Sequence, residues 1–469
     1  MKISRRDFLK WSVAAGVALN IDNVTNVLAA TNKTSWINYR GMNVGIYQNL
    51  VEQDFIDYAA TGGQMLRIVC TDLRFTTTPY TFDESKFTIL ETFLGFCQKY
   101  NIKAVVDVHT TPGIQKKFDG VFWSDFTYHD LLIGTWNKIA SKYANTYLDT
   151  IVGYDLLNEP YIPYSIKNSK TPADINLLYA NITSTIRKYD TKRTIILEIP
   201  DARPLGNIGL IKRVSDARSL NIPTDSNTIW SIHMYESSYF VFQGLNIGFP
   251  NSGVTFPGTT ETLYWDKDYF KKLLLPLKLY SDLYQIPIWV GECSCARWLG
   301  DSFVTDSTLT DTQILAARVS TDLGGNYWLQ CALEIFEAWG WNWCYYAWRE
   351  STGWDAEKSN TLQIDETKYA TTPRLDYLKT NFAKAKTVPF AAKPVAVVTP
   401  STVYKTQYGV ATGDGISIRT GAGTQYSWQG SFALGTKINI LGTAGSFYKV
   451  RYSGITGYVS NQYVKITSK

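Results

Sequence analysis

Gly153-Tyr-Asp-Leu-Leu-Asn158-Glu159-Pro160 closes a mostly apolar run that begins at Ile151, with Asp155 its one charged residue. A short apolar run bounded by a breaker marks a strand buried on both faces. This one stops at an amide, a carboxylate and a proline. Pro160 has no N–H to offer a ladder, so the strand finishes at a rim. In a parallel barrel that rim is the C-terminal face, where such folds keep their chemistry. A solvated glutamate at a strand end would look the same, so the reading turns on what the rest of the chain brings to Glu159.

Outward from this strand, β-rich apolar segments alternate with longer amphipathic ones between Trp36 and Trp348. Expected strands are Tyr39–Asn43, Met65–Val69, Ala104–His109, Ile151–Leu157, Thr194–Ile199, Ile229–His233, Pro287–Gly291 and Cys344–Trp348. Between them, Leu131, Ile133, Trp136, Ile139, Ala140 and Tyr143 recur at helical spacing, and Leu177–Tyr189 and Asp268–Tyr284 read as helices too. Eight strands alternating with helices imply an α/β chain folded as a (β/α)8 TIM barrel. A doubly wound open sheet is the rival, but no Gly-rich phosphate turn follows an early strand.

The barrel makes a prediction: chemically capable residues should gather at strand C-termini. Strand two carries Arg67, strand three ends in His109 and strand four in Asn158-Glu159. Strand six runs into His233-Met-Tyr235, strand seven ends in Gly291-Glu292, and strand eight in Trp348-Arg349-Glu350. Two of the three histidines of the chain fall at these ends. Glu198, Glu236 and Glu350 are further acids near the rim, set aside because none shows convergent partners.

The ordered set Arg67, His109, Asn158-Glu159-Pro, His233-x-Tyr235, Glu292 and Trp348 resembles glycoside hydrolase family 5, retaining β-glycanases that include many cellulases. Trp136 to Tyr143 followed by Gly153 to Pro160 resembles the family's signature region, and the likeness spans roughly residues 36–380. It implies Glu159 as general acid/base, Glu292 as nucleophile, and Arg67, His109, Asn158, His233, Tyr235 and Trp348 as a shell around the reacting sugar. Double displacement needs two carboxyls about 5–5.5 Å apart, one protonated and one ionised. Strands four and seven face each other across a barrel mouth, so their terminal glutamates can converge. Arg67 beside Glu292 would favour the anion, Tyr235 could orient it, and Trp348 offers a floor for the ring. Trp123 and Trp298, in loops near the mouth, are further expected sugar contacts, and the Tyr239–Tyr264 loop is expected to shape the cleft.

Composition agrees without deciding. Aromatic content is 14%, with 15 Trp and 31 Tyr, and flat aromatic faces suit sugar rings. The charge of +5 has no Lys/Arg block, which argues against nucleic acid. Ser4-Arg5-Arg6-Asp7-Phe8-Leu9-Lys10 and the apolar run to Leu19 read as a twin-arginine signal, residues 1–30, cut after Ala29 or Ala30. That run is too short for a stable membrane span, so a periplasmic or secreted enzyme is expected. Six cysteines in so long a chain do not make a disulfide scaffold, and Cys70, Cys293 and Cys344 read as buried thiols. With three His, neither a metal nor another cofactor is expected.

The catalytic domain is expected over 31–383. Residues 384–403, with Pro389, Pro394 and Pro400 amid Ala, Val and Thr, read as a linker. Residues 404–469 alternate short β runs with Gly turns and imply a small all-β SH3-like barrel. Ile416-Ser-Ile418-Arg419-x-Gly421, Tyr448-Lys-Val450 and Gly457-Tyr-Val459 resemble bacterial SH3-type domains, which implies a cell-wall ligand.

The first expectation is thus a monomeric, secreted endo-β-1,4-glucanase acting on a β-linked polysaccharide. Alternatives are a β-mannanase, exo-β-glucanase or transglycosylase on the same scaffold, a peptidoglycan or other envelope-glycan hydrolase, and a non-catalytic carbohydrate-binding protein.

Overall fold

The computed structural model describes residues 39–114, 121–162, 169–200, 220–245, 252–260, 263–300, 322–350, 353–357, 371–384, 407–424, 426, 428–452 and 455–467. The expected signal stretch and, apart from Lys384, the expected linker lie outside the described residues, as do parts of the Tyr239–Tyr264 loop. Two compact units divide the chain, Met1–Ala392 and Lys393–Lys469.

In the first unit eight parallel strands close into a barrel. They are β1 (Arg40–Gly45), β2 (Met65–Cys70), β3 (Lys103–Val108), β4 (Ile151–Asp155), β5 (Thr194–Glu198), β6 (Thr228–Met234), β7 (Ile288–Cys293) and β8 (Asn342–Tyr345). Neighbours in sequence are neighbours in the barrel, and β8 pairs back onto β1. This is the (β/α)8 fold the alternation implies. Two strands stop short of their expected ends by more than one residue: β4 ends at Asp155, not at Leu157, and β8 ends at Tyr345, not at Trp348.

Around the barrel lie α1 (Glu52–Ala60), α2 (Glu84–Lys99), α3 (Phe126–Tyr143), α4 (Ile175–Arg187), α5 (Lys267–Tyr284), α6 (Gly325–Trp339) and α7 (Pro373–Ala383). Four of them start at an aspartate: Asp83, Asp125, Asp174 and Asp266 each accept a backbone N–H of the first turn. A side-chain oxygen there satisfies a donor the helix leaves orphaned. On α3 the buried stripe is Leu132, Trp136, Ile139, Ala140 and Tyr143. Leu132 takes the place expected for Leu131, because the helix turns one residue further round. Trp136 Nε1 donates to Leu156 O at 2.9 Å, which seats α3 on the chain just before Asn158.

Alternate strand residues point into the barrel. At its base, Met65, Val105, Ile196, Ile229, Trp289 and Cys344 form an apolar plug separate from the larger core between strands and helices. Two residues further along four of these strands stand Arg67, Asp107, Glu198 and Ser231, all buried. The interior is therefore two-tiered, apolar below and ionisable above. All six cysteines are buried and free, Cys70, Cys293 and Cys344 among them. No helix among the described residues is long and apolar enough to cross a membrane.

The second unit is a seven-stranded antiparallel sheet: β9 (Gln407–Ala411), β10 (Ile416–Arg419), β11 (Trp428–Phe432), β12 (Lys437–Ala444), β13 (Phe447–Tyr452), β14 (Ile455–Ser460) and β15 (Val464–Thr467). The order is β11-β10-β14-β13-β12-β9-β15. Period-two alternation puts Ile416 and Ile418, and Ile438 and Ile440, on one face over a small core with Phe432, Val450, Val459 and Val464.

Candidate active site

Arg67 is the hub of the upper tier, and its side chain is fully buried. Its Nε donates to Asp155 Oδ2 at 2.9 Å. Nη1 reaches Glu292 Oε1 at 2.6 Å and Asn43 Oδ1 at 3.2 Å. Nη2 reaches Asn158 Oδ1 and Glu198 Oε1, both at 3.0 Å, and lies 3.1 Å from Asp107 Oδ2. One guanidinium thus ties the ends of β1, β2, β3, β4, β5 and β7 together. Arginine suits the place because its fork of donors stays charged when buried. Burial, then the Glu198 charge, push the Asp155 carboxyl well above its ordinary range.

Glu292 is 5% exposed. Tyr235 Oη donates to its Oε2 at 2.8 Å. Burial is the strongest single influence and opposes ionisation, yet the His233 imidazole and Arg67 guanidinium outweigh it, so the pKa falls from 4.5 to about 2. Glu159 faces it across the mouth. His233 Nδ1 lies 3.0 Å from Glu159 Oε1 and 3.6 Å from Glu292 Oε2. A carboxylate oxygen of each glutamate and a ring nitrogen of His233 all fall within 4.8 Å of one another. These three are the one set among the described residues close enough to share a metal ion, but Arg67 and Tyr235 already occupy Glu292 as donors to a carboxylate. His109 Nδ1 meets Asp107 Oδ2 at 2.8 Å, which links the end of β3 to the same network. Arg67, His109, Asn158, Glu159, His233, Tyr235 and Glu292 therefore converge.

Trp348 does not join them, which corrects the expectation that it floors the site. It is 1% exposed, donates through Nε1 to Asp54 O of α1 at 3.2 Å, and packs edge-on to Tyr58. The cause is the early end of β8. Strand alternation holds only while the chain stays in the sheet, and after Tyr346 it turns onto α1. Arg349 pins that turn to Asp54 and Asp57 at 2.5 and 2.7 Å. The aromatic at the mouth is Tyr346, whose hydroxyl lies 3.1 Å from that of the exposed Tyr47. Burial, with Tyr47 and Glu292 next in weight, pushes the Tyr346 phenol up. Trp123 is likewise core, 6% exposed and edge-on to Phe122 and His129. Trp298 is half-buried, with Nε1 on Gln243 O at 2.9 Å.

Sequence reading missed Asn43, Asp107, Asp155, Tyr346 and the partners of Glu198. Asp107, two before His109, shares its inward phase, a signal that period two alone could have exposed. The dismissal of Glu198 is also corrected. It accepts from Arg67 and from the Glu159 backbone N–H at 2.7 Å.

Comparison with known proteins places this geometry. The model "Cellulase (glycosyl hydrolase family 5)" matches residues 28–295, more than half of the chain and through Glu292. A bacterial SH3 domain model matches 414–465, and a twin-arginine translocation signal model matches 2–20, which supports export. A glucan 1,3-beta-glucosidase of Pichia angusta is 35% identical over 24% of this chain and 28% of its own length. Cellodextrinase A of Ruminococcus flavefaciens is 26% identical over 45% of this chain and 58% of its own. The chain thus spans less than two thirds of either relative. The crystal structure of endoglucanase Cel5A from Thermotoga maritima shares the fold, with a TM-score of 0.53 at 18% identity over 73% of this chain and 97% of that one. On the family match and the barrel together, the chain belongs to glycoside hydrolase family 5.

Proposed function

We propose that the protein is an exported retaining β-glycanase that cuts β-1,4-glucan internally. The observation that carries the reading is the approach of Glu159 and Glu292, whose nearest oxygens lie within 4.8 Å. Retaining hydrolysis uses carboxyls about 5–5.5 Å apart, whereas inversion needs about 6.5–9.5 Å to admit a water. Glu292, ionised and held by Arg67 and Tyr235, attacks the anomeric carbon. Glu159 gives its proton to the departing oxygen, leaving an ester on Glu292. Glu159, now a base, takes a proton from water, which attacks the ester and releases the sugar with retained configuration. Tyr346 and Tyr47 line the mouth beside Glu292 and replace Trp348 as the surface for the ring.

A second reading, action on β-1,3-glucan from chain ends, is favoured by the Pichia angusta relative. Reducing ends measured on purified β-1,4- and β-1,3-glucans, mannan and peptidoglycan, with product anomers followed by NMR, separate the two. Product from β-1,3-glucan alone overturns the first choice, and an inverted first product overturns the mechanism. The C-terminal unit is proposed to bind cell-wall material. Full-length chain should sediment with walls more strongly than a chain lacking residues 404–469.

A further inference from the structure

We propose that Glu198 is a positioning residue that clamps the Glu159 backbone in the conformation aiming its carboxyl at the bond to be cleaved. The inference rests on the reading of Glu159 as acid/base. Glu159 has φ +40°, in the left-handed region that a residue with a Cβ avoids. It also precedes Pro160, a place that favours extended backbone. Such a conformation persists only where its surroundings hold it. Glu198 Oε2 supplies that hold, accepting the Glu159 N–H at 2.7 Å.

The clamp is itself anchored. Glu198 is the last residue of β5 and 2% exposed. Tyr179 Oη, from α4, donates to its backbone oxygen at 2.8 Å. Its Oε1 accepts from Arg67 Nη2 at 3.0 Å and lies 3.0 Å from His233 Nε2, off the line of a good hydrogen bond. Both oxygens act as acceptors towards groups that can only donate. Glutamine, identical in size, must turn its NH2 towards either the Glu159 N–H or the Arg67 guanidinium, and so loses one of the two contacts. Glu198 makes these contacts to the residues around the glutamate pair and so works through Glu159.

The test uses full-length enzyme and two aryl β-glycosides of the sugar that wild type accepts. Phenol leaves poorly and needs a proton, while 2,4-dinitrophenol leaves without one. E198Q is expected to lower kcat/KM on the phenyl glycoside about 10- to 100-fold and on the dinitrophenyl glycoside less than about 3-fold. Should E198Q fail to fold, E198D, which keeps the charge but withdraws the oxygens by a methylene, carries the same comparison. An equal loss on both substrates, or no loss on either, overturns the positioning role. E159A run alongside keeps the two ideas apart. If E159A shows no such split, the acid/base reading itself falls. If E159A splits and the Glu198 variant does not, only the clamp does.

Discussion

The two tiers of the barrel interior are built from the same strands two residues apart, yet they follow opposite rules. Below, Met65, Val105, Ile196, Ile229, Trp289 and Cys344 fill the space with apolar volume. Above, Arg67 faces Asp107, Asp155, Glu198 and Glu292 with hardly any water to screen them. Burying charge is costly unless each group is paired and hydrogen-bonded. The lower tier therefore contributes stability, and the upper tier draws on it to hold four acids around one guanidinium. The candidate active site is a polar layer that a hydrophobic plug makes tolerable.

The sharpest break in that contrast is expected at Glu292. E292A should remove turnover by about 10⁴-fold or more with little change in melting temperature, and near-normal turnover would dismiss it as nucleophile. Its ionisation supplies a second reading. Because the folded pKa lies below the ordinary 4.5, at about 2, the anion survives well into acid. The acid limb of kcat/KM should therefore fall below pH 4.5 for as long as circular dichroism shows a folded chain.

Arg67→Met comes next. It strips the cation from a buried acid cluster and should cost about 3–5 kcal/mol in unfolding measurements. An unchanged unfolding midpoint would mean the cluster does not depend on its arginine. In the lower tier, I196A should cost about 2–5 kcal/mol by leaving a cavity, while the turnover of the folded fraction stays at the wild-type level. A collapse in kcat there would show that the tiers are not separable. The smallest effect is expected from Y346F, which removes only the hydroxyl facing Tyr47. A loss of kcat/KM of about tenfold at most fits a ring-lining role, and a loss as large as that of E292A would place Tyr346 in the chemistry.

Most of the fold was legible because the strands are short apolar runs and the helices carry their own buried stripes, four of them behind an aspartate cap. Convergence of Arg67, His109, Glu159, His233 and Glu292 was legible for a related reason: strand ends of one sense meet on one face. Glu198 was harder. The partners of its carboxylate come from β2, from the chain just after β4 and from β6, none within 30 positions of it, so no local pattern announces them.

Sequence alone settled which residue types stand at the barrel rim, since alternation and strand length are local properties of the chain. The outcome at Trp348 belonged to the tertiary structure. Inward phase depends on where a strand leaves the sheet, and β8 leaves at Tyr345 because Arg349 finds Asp54 and Asp57 on a helix almost 300 residues earlier. A contact that distant is a matter of packing, and it moved the aromatic at the mouth from Trp348 to Tyr346.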